Sequence, residues 1–262
     1  MRRILAAVAL CTLTGPAWAA MQQKPVEWTV GKERFSGYLV YDDAVEKPLP
    51  GLVMFPNWMG VTDLSVDKAR QIAGDDYVVL VADVYGNGVR PADAAAAGAA
   101  VGKAYDDGGL RLRDRANAAV AALKAQAGKA PLDATRIGAF GFCFGGSVAL
   151  ELARSGADVA GVVSLHGGLE RHLPGAERIV APVLVLNGAD DSSVTAEHVQ
   201  AFRKEMKDAG ADWQFVDFGG AVHCFAQEES KSPPNCVYDA RAAKRAFEMM
   251  DDFFEEVFET QD

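Results

Sequence analysis

Gly141-Phe142-Cys143-Phe144-Gly145 sets one thiol between two glycines, with Gly146 next in line. The apolar run 136–142 leads straight into it. A helical pattern, FGGSVALELARSG, starts at once behind it, with Phe144, Val148 and Leu152 on one face. A side chain on so tight a strand-to-helix turn projects above the sheet, beside the new helix's free N–H groups. Those groups and the helix dipole favour a thiolate over a thiol, while the glycines let strand and helix approach where Cβ atoms would collide. The pattern is a nucleophile elbow with cysteine in place of serine. Composition alone would give G-x-C-x-G about 0.04 times in this chain, so chance is a poor account of it. The bland alternative is a small buried structural cysteine.

An elbow needs a base and an orienting acid, which in this architecture follow in the order nucleophile, acid, histidine. Of the four histidines, His223 follows the last apolar strand in FGGAVHCF and is the expected base. His198 lies in a helical stretch, His172 in the polar loop ERHLPGAE, and His166 ends a strand, where it either lines the site or packs. In VLVLNGADDSSV the spacing Gly-x-x-Asp-x-x-Val selects Gly188, Asp191 and Val194, with Asp190 as runner-up and helix capping ahead of residue 195 as the alternative. His223 is then expected to polarise Cys143, and Asp191 to fix the imidazole tautomer. The Phe144 N–H, with a second N–H from the loop after GLVMFP (that of Trp58), would hold an oxyanion.

These residues need a frame. Apolar runs of strand length at 51–56, 77–85, 136–142, 159–167, 182–188 and 212–220 alternate with helical patterns, after an alternating and antiparallel strand at 33–41. That order predicts one α/β domain with a mostly parallel central sheet flanked by helices on both faces. In such sheets ligands sit at the strands' carboxyl ends, which is where the candidate residues fall. The chain has 262 residues and is 50% hydrophobic, enough for one large core.

MRRILAAVALCTLTGPAWAA reads as a secretory signal over 1–19, with Arg2 and Arg3, a short apolar run and Ala17-Trp18-Ala19 as the cleavage pattern. An uncleaved anchor is the alternative. Cleavage takes the formal net charge from −10 to −12, leaving no electrostatic case for nucleic acid or anionic membrane. The expected location is periplasmic or secreted, as a monomer or small homo-oligomer acting on a small molecule. In that oxidising setting Cys224 and Cys236, which bracket FAQEESKSPPN, are expected to form a disulfide. A zinc site on His223, Cys224 and Cys236 lacks a fourth ligand, so no metal is expected.

The segments VMFPNWMGVTD, VVLVADVYG, RIGAFGFCFGGS, LNGADDSSV and GGAVHCFA, in this order, resemble the dienelactone hydrolase family of α/β-hydrolases over essentially the whole mature chain, 20–262. The resemblance implies a single-domain, cofactor-free hydrolase of lactones or related esters, with Cys143, Asp191 and His223 as triad and the Phe144 and Trp58 amides as oxyanion hole. It also marks departures. Asn57 stands where those enzymes have a glutamate thought to hold the resting thiol, so Cys143 is expected to rest as a thiolate paired with His223. Asn87 and Gln227 occupy the positions of two substrate-carboxylate arginines, with Arg90 near enough to substitute in part. With Tyr85, these residues make the expected substrate pocket, for a neutral or smaller ester or lactone. A thiol redox protein using Cys143, or a non-catalytic binding protein on the same fold, are the rival readings.

Overall fold

The computed structural model describes residues 21–174 and 178–259, so the expected leader and its cleavage point lie outside the described residues. One sheet of eight strands carries the fold, in the order β1-β2-β4-β3-β5-β6-β7-β8. The strands are β1 (Met21–Val30), β2 (Glu33–Asp42), β3 (Leu49–Phe55), β4 (Val78–Val81), β5 (Leu132–Phe142), β6 (Val162–Leu165), β7 (Val183–Gly188) and β8 (Trp213–Phe218). β2 runs antiparallel to both β1 and β4, and the remaining pairs are parallel. This is the mostly parallel sheet the alternating pattern predicts.

Both faces are covered because the central strands are apolar on both sides. Leu52 and Met54 of β3 pack with α1 (Asp63–Ala73) and α6 (Ala240–Glu259). Val53 and Phe55, pointing the other way, pack with α2 (Ala94–Ala104), α3 (Leu110–Lys124), α4 (Phe144–Arg154) and α5 (Ala196–Asp208).

Two differences from the sequence pattern have physical reasons. β1 is a full ten-residue strand that its sequence, MQQKPVEWTV, conceals. It is an edge strand with only Val26 buried, so it carries little apolar signal, and an edge tolerates Pro25. The apolar runs at 77–85 and 159–167 pair only over Val78–Val81 and Val162–Leu165. Their remainders leave the sheet at its carboxyl end, where 82–85 and His166 approach Cys143.

A buried ion network ties α3 and α4 to the chain after β6. Arg154 is wholly buried. It donates from Nη1 to Glu151 at 3.0 Å, from Nη2 to Glu205 at 2.9 Å, and to the carbonyls of Leu169 and Glu170 at 2.7 and 3.1 Å. Arg113 donates to Glu151 at 2.6 Å and to the carbonyls of Pro174 and Leu173 at 2.7 and 3.2 Å. The two guanidinium groups therefore fix four carbonyls of the segment 169–174. Arg154→Met leaves Glu151 with Arg113 alone, takes the nearer guanidinium from Glu205 and bares the Leu169 and Glu170 carbonyls, so it is expected to lower unfolding free energy by about 3–5 kcal/mol, read by urea denaturation.

Candidate active site

Cys143 connects β5 to α4 with φ +55° and ψ −119°, a backbone that a residue bearing a Cβ adopts only under strain. The flanking glycines make room for it rather than sharing the left-handed turn. A Cβ at Gly145 would lie 2.0 Å from the Phe55 carbonyl oxygen, and one at Gly141 would lie 2.1 Å from the Gly145 oxygen. The Cys143 N–H donates to the Leu165 carbonyl at 3.0 Å and to His166 Nδ1 at 3.1 Å, which locks the turn onto the end of β6. His166 is fully buried, and desolvation, with the His223 charge beside it, pushes its pKa down to about 3. It stays neutral and accepts the bond, a supporting role beyond simple packing.

Three side chains converge above this turn. Cys143 Sγ lies 3.0 Å from His223 Nε2, and His223 Nδ1 lies 2.7 Å from Asp191 Oδ2. The other Asp191 oxygen accepts from the Ser193 N–H at 2.9 Å and hydroxyl at 2.6 Å. Burial disfavours the Asp191 charge, but the bonds from His223 and Ser193 prevail and hold its carboxyl below the usual range. For His223, burial lowers the pKa, while Asp191 and Cys143 raise it by hydrogen bond and by charge, leaving it at about 10. The arrangement suits a proton held on the imidazole between Asp191 and Cys143. Thr195, not Asp190 or Asp191, caps α5, so the capping alternative for the acid pair does not hold.

His223 is held from behind. Cys224 and Cys236 form a disulfide with Cα atoms 5.0 Å apart, His223 makes a β-bridge with Cys236, and the Val237 N–H donates to the His223 carbonyl at 3.1 Å. Gly188 belongs to the same construction, since a Cβ there would meet the Ala221 and Val222 oxygens at 2.7 and 2.8 Å.

A cavity of about 370 Å³ opens on Cys143 and His223, lined also by Trp58, Val101, Tyr105, Phe144, Ser147, Gly168, Glu170 and His172. Tyr85 lies outside that lining. Its ring stacks on Phe144 and its hydroxyl donates to the Trp58 carbonyl at 2.9 Å, so it steadies the candidate oxyanion loop. Asn57 accepts the Met59 N–H at 3.0 Å and, with Gln227, lines a neighbouring apolar cavity of about 200 Å³ instead. Asn87 and Arg90 also stand apart, against β2. Arg90 bonds Asp83 at 3.2 Å because that carboxylate is buried and would otherwise lack a countercharge. Tyr105, Glu170 and His172 carry no motif that singles them out, because they arrive from α2 and from a loop whose course the buried arginines set.

The dienelactone hydrolase family model covers residues 35–258. The chain belongs to the dienelactone hydrolase family. It is 38% identical to a dienelactone hydrolase-like promiscuous phosphotriesterase from metagenomic libraries, at a TM-score of 0.85 over 91% of this chain and 99% of that one. A dienelactone hydrolase-type structure from Klebsiella pneumoniae, 21% identical, shares the fold at a TM-score of 0.76 over 90% of this chain and 99% of that one. A Yersinia pestis protein named "Putative carboxymethylenebutenolidase" is 24% identical over 85% of this chain and 84% of its own. As a dienelactone hydrolase-like enzyme with the α/β-hydrolase fold, the protein is a carboxylic ester or lactone hydrolase acting on a small molecule. Replacing both Cys224 and Cys236 by alanine is expected to cost about 3 kcal/mol of stability from the lost 12-residue loop closure. It should also lower kcat by loosening His223; thermal melts and kinetics on the purified double variant check both.

Proposed function

We propose that Cys143, His223 and Asp191 are the catalytic triad of this hydrolase, working through a thioester acyl-enzyme on an ester or lactone that carries no carboxylate. The observation that supports it most is the chain of contacts from Sγ to Nε2 at 3.0 Å and from Nδ1 to a buried carboxylate at 2.7 Å. Asn57 has no proton to exchange and spends its oxygen on its own turn, so the resting pair is a Cys143 thiolate and a His223 imidazolium.

The thiolate attacks the acyl carbon, forming a C–S bond and moving the carbonyl electron pair onto oxygen. Phe144, first residue of α4, has an N–H without an intrahelical acceptor, and it binds that oxyanion together with the Trp58 N–H. Collapse breaks the C–O bond while His223 gives its proton to the departing oxygen. Water then attacks the thioester, His223 takes the water's proton, and the acid product leaves as the Cys143 thiolate re-forms. Asp191 holds the imidazole with Nε2 toward the sulfur throughout.

A redox reading finds no support, because Cys143 is the free cysteine among the described residues and the other two are bonded to each other. The relative described as a promiscuous phosphotriesterase favours one side activity, attack of the same thiolate on a neutral aryl phosphotriester. We also infer export, with the leader removed after Ala19. The disulfide supports an oxidising compartment, and no described helix is long and apolar enough to cross a membrane. N-terminal sequencing of the protein from a periplasmic extract should begin at Ala20.

A panel of aryl acetates, neutral lactones and a carboxylated dienelactone decides the reaction. Wild type should turn over the neutral members and Cys143→Ala should lose about 10⁴-fold or more in kcat; equal turnover by the variant rejects the triad. The pH profile follows from His223. Its pKa is raised from 6.5 to about 10, so the pair's contribution to stability is complete below 6.5 and is lost as pH rises through about 10. The alkaline limb of kcat/KM is expected in that same range, and His223→Ala should abolish it along with most of the activity.

A further inference from the structure

The mouth of the cavity above Cys143 has a composition that ester cleavage by itself does not require. Trp58, Tyr105 and His172 line it with one carboxylate, Glu170, and neither lysine nor arginine is among the lining residues. The Tyr105 and His172 rings meet at a tilt of 41°, with centroids 4.3 Å apart. Aromatic faces carry a negative quadrupole, and rings joined by a carboxylate are a recurrent receptor for alkylammonium groups. We propose that the preferred substrate carries a cationic alkylammonium group, which Trp58, Tyr105, His172 and Glu170 bind at the mouth while the ester lies on Cys143. The proposal rests on the reading of Cys143 as the nucleophile at the floor of this cavity.

The surroundings leave the mouth available to a cation. Arg171, next to Glu170, turns away to Glu205 at 3.8 Å. Arg113 and Arg154 hold the backbone of 169–174, but Glu151 and Glu205 neutralise them inside the protein, so they add little positive field. His198 Nε2 lies 3.3 Å from Glu170 Oε1 and is the one histidine competing for that carboxylate among the described residues. Because Arg154 grips the carbonyl of Glu170 and not its side chain, the carboxylate can be replaced without releasing the loop. The Tyr105 hydroxyl is engaged with Ser147, which fixes that ring as a wall. Net charge is negative as well, and it draws cations toward the whole surface.

Acetylcholine and its uncharged tert-butyl isostere differ in charge and hardly in shape, so their ratio isolates the effect. At low salt, kcat/KM for the choline ester should exceed that of the isostere by about 5- to 10-fold, mostly through KM, and added salt should narrow the gap. Glu170→Gln should bring the ratio below about 3, and Glu170→Lys should invert it in favour of the uncharged isostere. A wild-type ratio of one or less overturns the proposal, as does a ratio that Glu170→Gln leaves where it was. An aryl acetate run alongside separates the two levels. If the aryl acetate is cleaved and the choline ester is not, cation recognition fails; if neither is cleaved, the hydrolytic reading of Cys143 fails.

Discussion

The left-handed backbone at Cys143 is the constraint around which the rest of the molecule is arranged. It stores about 1–3 kcal/mol of strain and persists only because its neighbours over-determine it. Gly141 and Gly145 allow β5 and α4 to meet at the carbonyl of Phe55, and Leu165 and His166 hold the Cys143 amide from β6. β5 must therefore sit between β3 and β6, which is the centre of the sheet order. The same turn sets the sulfur at the start of α4 and 3.0 Å from His223 Nε2, so one distortion fixes both where the thiol stands and which base it meets.

A second dependency runs through buried charge. Glu151, Arg154 and Arg113 lie inside the protein, where an ion pair seldom improves stability over apolar packing of the same volume. Their value here is positional. Four main-chain carbonyls between 169 and 174 receive guanidinium donors, and that segment supplies Glu170 and His172 to the cavity. A loop wall is thus held by the helices that pack on the sheet, and the elbow and its cavity share α4 as their common support. His223 is treated similarly by its disulfide and its bridge to Cys236.

Much of this was legible in the residues. The parallel frame followed from apolar runs of strand length, because strands covered on both faces cannot hide their hydrophobicity. Cys143, Asp191 and His223 stood out because each falls just past such a run, and the pairing of Cys224 with Cys236 followed from export and spacing. β1 was hidden, since an edge strand with one buried side chain has no apolar period to display. The cavity wall was hidden for a different reason. Glu170 and His172 owe their positions to long-range bonds from Arg113 and Arg154, which nothing local in ERHLPGAE records, and Tyr105 closes an alanine-rich α2 whose pattern does not single it out. The residues selected instead, Asn57, Asn87, Arg90 and Gln227, each found a nearer partner: a turn amide, β2, a buried aspartate and Glu229.

That displacement bears on the choice of substrate. A carboxylated lactone needs fixed cations beside the nucleophile, and among the described residues the cavity lining holds no lysine or arginine. Arg90, the nearest replacement, is committed to Asp83, whose carboxylate is almost fully buried and has the stronger claim on it. What remains in the cavity lining is Glu170 at the mouth and, on the proposed resting state, the thiolate itself. Two charges a few ångströms apart interact by several kcal/mol at the effective dielectric of a protein surface. A substrate carboxylate would meet that repulsion from both ends of the cavity, with only the His223 imidazolium, already shared by Asp191 and Cys143, to offset it. The electrostatic logic of this site therefore selects against an anion through the nucleophile's own charge, and Glu170 extends the same selection to the entrance.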